Sequence, residues 1–199
     1  AYCPNSYFFT SVFAIWGWAS WRRVFDKRDE QYAFLDDAYT MRELKSFAKS
    51  RKLRSDLIRM MQDHRASGKQ YFESLFWSAM LLSSGMAIMP AKNLINNLGL
   101  SDESTHFSGS MKTTPKAYRR IFMMKRHELE FPLKHPRYIL EDVEYKERLY
   151  KINCWGHPWI KIGRSLEELF LNLRYGNFSI ILKAIRKRLG KWMGTEKHV

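Results

Sequence analysis

The chain has 199 residues, with 34 Lys and Arg against 20 Asp and Glu, for a net charge of +14 and an isoelectric point near 9.8. Hydrophobic residues at 45% and aromatics at 15% exclude a disordered chain, and no apolar run approaches the roughly 18 residues of a membrane-spanning helix. So positive a field draws anions, whether nucleic acid, anionic membrane or phosphorylated small molecules, and does not by itself choose among them.

Residues 6–15 are rich in Phe, Tyr, Val and Thr and read as an extended segment ending at the turn Trp16-Gly17-Trp18. Arg22–Phe25 begins a short helix. From Thr40 to His64, apolar residues at Met41, Leu44, Phe47 and Ala48 and then at Leu53, Leu57, Ile58 and Met61 predict two amphipathic helices or one broken helix. Ser67-Gly68 is a break. Lys69–Ser83 has a helical apolar face at Phe72, Leu75, Phe76, Ala79, Met80 and Leu82, ended by Ser84-Gly85 as a glycine cap. Met86–Met89 is a short strand closed by Pro90, Asn93–Gly99 a strand or loop, and Ser101–Lys116 a polar loop. Ile139–Ile152 is helical, Asn153–Pro158 interrupts it, and Ser165–Met193 is helical again with a kink near Gly176. No internal repeat is present.

Cys3 and Cys154 are the two cysteines, far apart and without CxxC spacing. A disulfide framework or a zinc site is therefore not expected, and a cytoplasmic setting is the default. The chain opens on Ala without a signal peptide, from which the expectation is that the beginning of the natural protein is missing.

The most informative stretch is Ser6–Phe25. Trp16, Trp18 and Trp21 fall within six residues, interrupted by Gly17 and followed by Arg22 and Arg23. Tryptophan offers a broad flat face and an N–H donor, suited to gripping the rings of sugars or bases. Glycine lets the backbone pass close to another group, and the arginines supply forked donors for phosphate or carboxylate. Burial of the aromatics with solvated or acid-paired arginines is the structural alternative.

Three motifs in order carry a family resemblance over about residues 6–136. The block Phe9, Thr10, Trp16-Gly17-Trp18-Ala19-Ser20-Trp21-Arg22-Arg23 resembles the W-G-W-A-T-W signature of a bacterial family of GT-A-fold nucleotide-diphospho-sugar glycosyltransferases, with Ser20 in place of Thr. Gly85-Met-Ala-Ile-Met-Pro90 through Asn93-Leu-Ile-Asn96-Asn97-Leu-Gly99, then Ser104-Thr105-His106, is similar to the family's N-L-V-x-N-I-G and T-H motifs. Phe131-Pro132-Leu133-Lys134-His135-Pro136 is similar to its F-P-L-x-H-P.

The resemblance implies an α/β fold: the C-terminal half of a GT-A domain over 1–136, helix-rich with a few short strands, then a helical extension over 137–199. It implies transfer of a sugar from a nucleotide-diphosphate donor to a carbohydrate or lipid-linked acceptor in surface polysaccharide synthesis. It also implies a divalent metal, Mn or Mg, whose main ligands belong to a donor-binding half before the Trp block, so that this chain alone would be inactive. Neither Asp36-Asp37 nor Asp102-Glu103 follows an apolar strand as that acidic motif would.

On the same basis Glu73 falls where family members carry an acid that takes the acceptor hydroxyl's proton, Glu here standing for Asp. His106 would bind the metal or donate to the diphosphate. Trp16, Gly17, Trp18, Trp21, Arg22, Arg23 and Asn97 would shape the substrate pocket, Asn93 and Asn97 otherwise fixing local backbone. His135-Pro136 reads as an anchoring turn.

The run 180–193 is basic and amphipathic, with Ile181, Leu182, Ile185, Leu189 and Trp192 on one side, and suits peripheral contact with an anionic membrane at the cytoplasmic face or packing in a core. The alternatives to a transferase are a single-stranded nucleic-acid module and a non-catalytic membrane-associated subunit. Lys and Arg spread over many segments, and the lack of a nucleic-acid motif, argue against the former.

Overall fold

A computed structural model describes residues 3–47, 50–96 and 111–192. In chain order the elements are β1 (Tyr7–Thr10), α1 (Arg22–Phe25), a single 3-10 turn at Ala33–Asp36, α2 (Ala38–Phe47), α3 (Arg51–Ser67), α4 (Phe72–Leu82) and β2 (Ala87–Pro90). They continue with α5 (Lys116–Phe122), α6 (Val143–Asn153), α7 (Pro158–Arg174) and α8 (Phe178–Trp192). The fold is helix-rich, 53% helical, with two short antiparallel strands among the described residues. The described residues fall into two compact units, one within Ala1–Ile95 and Lys125–His157, the other within Asn96–Met124 and Pro158–Val199.

The first unit is built on α3 and α4. Ser50 caps α3 by accepting from the Leu53 N–H, and Leu53, Leu57 and Met61 then recur at helical spacing and are buried. Gly68 ends the helix in the left-handed region, as the break at Ser67-Gly68 predicts. Leu75, Phe76, Trp77 and Ala79 of α4 are buried, and Leu75 and Trp77 pack with Val12, Tyr32, Phe34 and Tyr150 in the same core. The Trp77 indole N–H donates to the Ser11 carbonyl at 2.9 Å, and its ring stacks on Trp155 with centroids 5.9 Å apart.

β1 and β2 pair antiparallel, Tyr7 opposite Pro90 and Thr10 opposite Ala87. On the other edge of β1, Phe9 forms a parallel bridge with Glu141, and the Asp142 N–H donates to the Phe9 carbonyl at 2.8 Å. Glu141 clamps this edge. Its carboxylate accepts from the Ser11 amide at 2.9 Å and from the Ser11 hydroxyl, and pairs with Lys146. Asp142 caps α6 by accepting from the Tyr145 N–H at 2.8 Å.

Several boundaries differ from the sequence expectation, among them the helix expected over Ile139–Ile152, which begins at Val143 behind its Asp142 cap. The helix predicted from Lys69 begins at Phe72, and its left-handed exit residue is Ser84 (φ 50°) instead of Gly85. Gly85 is required for a different reason: a Cβ there would lie 2.9 Å from Met80 Cγ, while its N–H donates to the Met80 carbonyl at 2.7 Å. The last helical region starts at Pro158, well before Ser165, because proline at a first helical position costs no hydrogen bond. Helix α5 was covered by no predicted element beyond Lys116.

In the second unit, the kink expected near Gly176 is a full break. Gly176 (φ 72°) ends α7, and Asn177 starts the link into α8, its N–H donating to the Asn172 carbonyl at 2.9 Å. The Lys116 N–H of α5 donates to Glu167 of α7, and the Arg164 guanidinium lies over the Tyr118 ring. No helix among the described residues is long and apolar enough to cross a membrane.

Candidate functional site

The tryptophan block forms a turn, and Gly17 explains its shape. Its φ of +56° lies in the left-handed region, and a Cβ there would meet Ile95 Cδ1 at 3.0 Å. The close approach that glycine permits is to a side chain of the same unit. The turn delivers Trp18 edge-on to Phe76 of α4, with ring centroids 4.7 Å apart. Helix α1 follows, and its Phe25 ring lies 5.9 Å from the same Phe76, with Phe72 at 6.4 Å on a third side.

Thus a buried Phe76 is surrounded by Trp18, Phe25 and Phe72, all three of which keep part of their ring surface in water. Trp16 and Trp21 are also exposed. The partly exposed rings of Trp18, Phe25 and Phe72, tilted 65°, 50° and 38° to Phe76, form an apolar surface patch, the aromatic platform of this unit.

The sequence left open whether Arg22 and Arg23 pair with nearby acids. Both are exposed, and among the described residues neither forms an ion pair; Arg23 lies over the Trp21 ring, 4.9 Å from its centroid. The arginine that braces α1 is Arg28. Its guanidinium covers the Phe25 ring at 3.4 Å, donates to the Phe25 carbonyl and pairs with Glu30 at 2.5 Å.

Glu73 is exposed in the first turn of α4, one residue beyond Phe72. Among the described residues its carboxylate makes no hydrogen bond or ion pair. Its neighbour Ser74 is buried in a network that sequence reading missed. The Tyr32 hydroxyl lies 2.5 Å from Ser74 Oγ, His64 Nδ1 lies 2.8 Å from it, and Ser74 Oγ donates to the Tyr71 carbonyl at 3.1 Å.

The Tyr32 hydroxyl and His64 Nδ1 thus both meet the Ser74 hydroxyl, whose oxygen can accept from each when its own hydrogen goes to Tyr71. The imidazole stacks on Tyr71 with centroids 4.0 Å apart. Burial pushes the His64 pKa down, against the opposing pull of Glu73 and Asp63. Burial likewise raises Tyr32, whose bond to Ser74 works the other way while Glu73 adds to the rise. The signal for this network was available only as an i, i+10 pair across the Gly68 break.

Asn93 does what its structural reading predicts. Its carbonyl accepts from the His127 N–H at 2.8 Å, and its amide donates to the Lys125 carbonyl at 3.4 Å. His135 likewise anchors its turn, with Nδ1 2.9 Å from the Tyr7 hydroxyl. Asn97 and His106 lie outside the described residues.

The structure therefore brings together Trp18, α1 and the first turns of α4, where Glu73 sits. No group of His, Cys, Asp or Glu among the described residues could hold a metal ion. No protein-family model, curated protein or solved structure matches the chain.

Proposed function

We propose that this chain is part of a GT-A-type glycosyltransferase that moves a sugar from a nucleotide-diphosphate donor to a carbohydrate or lipid-linked acceptor in bacterial surface polysaccharide synthesis. The observation that carries the reading is the aromatic platform of Trp18, Phe25 and Phe72 around Phe76, with an uncommitted carboxylate, Glu73, beside it. The order and spacing of the three motifs over residues 6–136 support the same reading.

On this proposal the acceptor ring rests on the exposed aromatic faces, and its hydroxyl attacks the anomeric carbon of the donor sugar. Glu73 takes the hydroxyl proton as the new glycosidic bond forms, and the nucleoside diphosphate leaves with the electrons of the broken bond. Arg22 and Arg23, uncommitted to acids, offer forked donors to the diphosphate. The Mn or Mg that the resemblance implies finds no fitting ligand set among the described residues. The segment 180–193 keeps the protein on the cytoplasmic face of an anionic membrane.

The test is nucleoside diphosphate release from a panel of nucleotide sugars with glycan acceptors, using the polypeptide as its source cell makes it. Glu73→Gln is expected to lower turnover by roughly 10²–10⁴-fold while donor binding is kept. Unchanged turnover removes Glu73 from the reaction. Absence of both saturable nucleotide-sugar binding and release overturns the transferase reading.

A further inference from the structure

Helix α7 is amphipathic with its faces reversed. Trp159, Ile162, Leu166, Phe170 and Leu173 fall within an arc of roughly 80° at 3.6 residues per turn. All five are exposed, Trp159 at 82% and Leu166 and Phe170 at 61% each. The side chain that α7 does bury is Asn172, at 4% exposure, held by Asn177 Nδ2 at 3.3 Å and donating to the Glu168 carbonyl. A helix folded for water alone buries its apolar arc and shows its amides. Helix α8 repeats the pattern over its described side chains, with Phe178, Leu182 and Ile185 exposed on one face.

We propose that the apolar arc of α7, continued by Phe178, Leu182 and Ile185 of α8, is a docking surface for an anionic lipid bilayer. The inference rests on the membrane contact proposed above and moves its centre from the tail to α7, which the sequence did not single out.

Charge selects the occupant. The described residues of this unit carry twelve Lys and Arg against two acids, Glu167 and Glu168, and α8 has five cations and no acid. Glu167 is already engaged by the Lys116 amide. Two such surfaces from two copies of the chain would repel. A nucleic acid would answer the charge, but Ile162, Leu166 and Leu173 have no base or phosphate to meet. Lipid headgroups of negative charge above an acyl boundary answer both features, the aliphatic arc entering the boundary and the cations reaching phosphate. Trp159, near the start of α7, has the amphipathic ring that settles at headgroup depth.

The test is co-sedimentation of the full chain with phosphatidylcholine vesicles with and without phosphatidylglycerol. Binding is expected with phosphatidylglycerol and should weaken with salt. Leu166→Glu with Phe170→Glu should lower the bound fraction roughly tenfold or more, since two buried apolar side chains are replaced by charges that anionic lipid repels. As a second variant, Lys183→Gln with Arg186→Gln leaves the apolar arc intact and should remove the preference for phosphatidylglycerol.

Wild-type-like binding by both variants overturns the proposal, as does a wild-type chain that binds neither vesicle. A dimer that Leu166→Glu with Phe170→Glu dissociates, without vesicle binding, assigns the face to a second copy instead. Vesicle binding is read without turnover, so failure of the transferase chemistry and failure of the docking surface give different results.

Discussion

Helices α3 and α7 are both 17 residues long, and both carry an apolar stripe at helical spacing, yet they end in opposite environments. Leu53, Leu57 and Met61 of α3 are buried in the core of the first unit, while Trp159, Leu166 and Phe170 of α7 face outward. The periodicity in a sequence states that a face is apolar; it does not state what covers it. In α3 the cover is α4 and the segment around Val12 and Tyr32. In α7 the cover is the proposed bilayer.

The comparison can be broken or sharpened by substitution. Leu57→Ala should cost about 2–5 kcal/mol, the cavity scale for a packed leucine, read by chemical denaturation. Leu166→Ala at the matching kind of position on α7 is expected within about 0.5 kcal/mol of wild type. Equal costs would mean that α7 is covered in the free protein and would erase the contrast.

Between these extremes lies the polar clamp of the first unit. Glu141→Gln should cost about 1–3 kcal/mol, because Lys146 and Ser11 lose a charged acceptor at a half-buried position. Burial raises the Glu141 pKa, but Lys146 and Ser11 outweigh it and leave the group below its ordinary 4.5. Its contribution is therefore present above that value and lost as pH falls through the lower folded one. The variant should flatten that part of the acid limb of a melting-temperature profile.

A smaller effect belongs to His64. Its folded pKa is depressed below the ordinary 6.5, so the unfolded chain takes up the proton first on acidification. Stability is full above that value and declines as pH falls below it; His64→Gln should remove this slope. A profile unchanged by the substitution would mean that the imidazole titrates alike in both states.

The legible parts of this molecule are those written in local pattern. The Leu53–Met61 stripe, the break at Gly68, the short helix at Arg22 and the strand ended by Pro90 each rest on neighbours a few residues apart. The Trp16-Gly17-Trp18 turn was legible for the same reason, though the object that Gly17 approaches, Ile95, lies 78 positions away and was not. Likewise, the pairing of Glu141 with Ser11 and the meeting of Tyr32, His64 and Ser74 are long-range facts. Glu73 was picked by resemblance, and its placement next to the aromatic platform came from the packing of Trp18 and Phe25 onto α4.

Ser74 has a single hydroxyl hydrogen; when it goes to the Tyr71 carbonyl, the hydrogen between Ser74 and His64 is the imidazole's own, on Nδ1. Such a ring hydrogen, in a bond that joins α3 to α4 at a half-buried imidazole, exchanges more slowly than one open to water. In a proton magnetic resonance spectrum it should appear as a line downfield of the amides. The lifetime of that one line would then time the opening of the contact between α3 and α4.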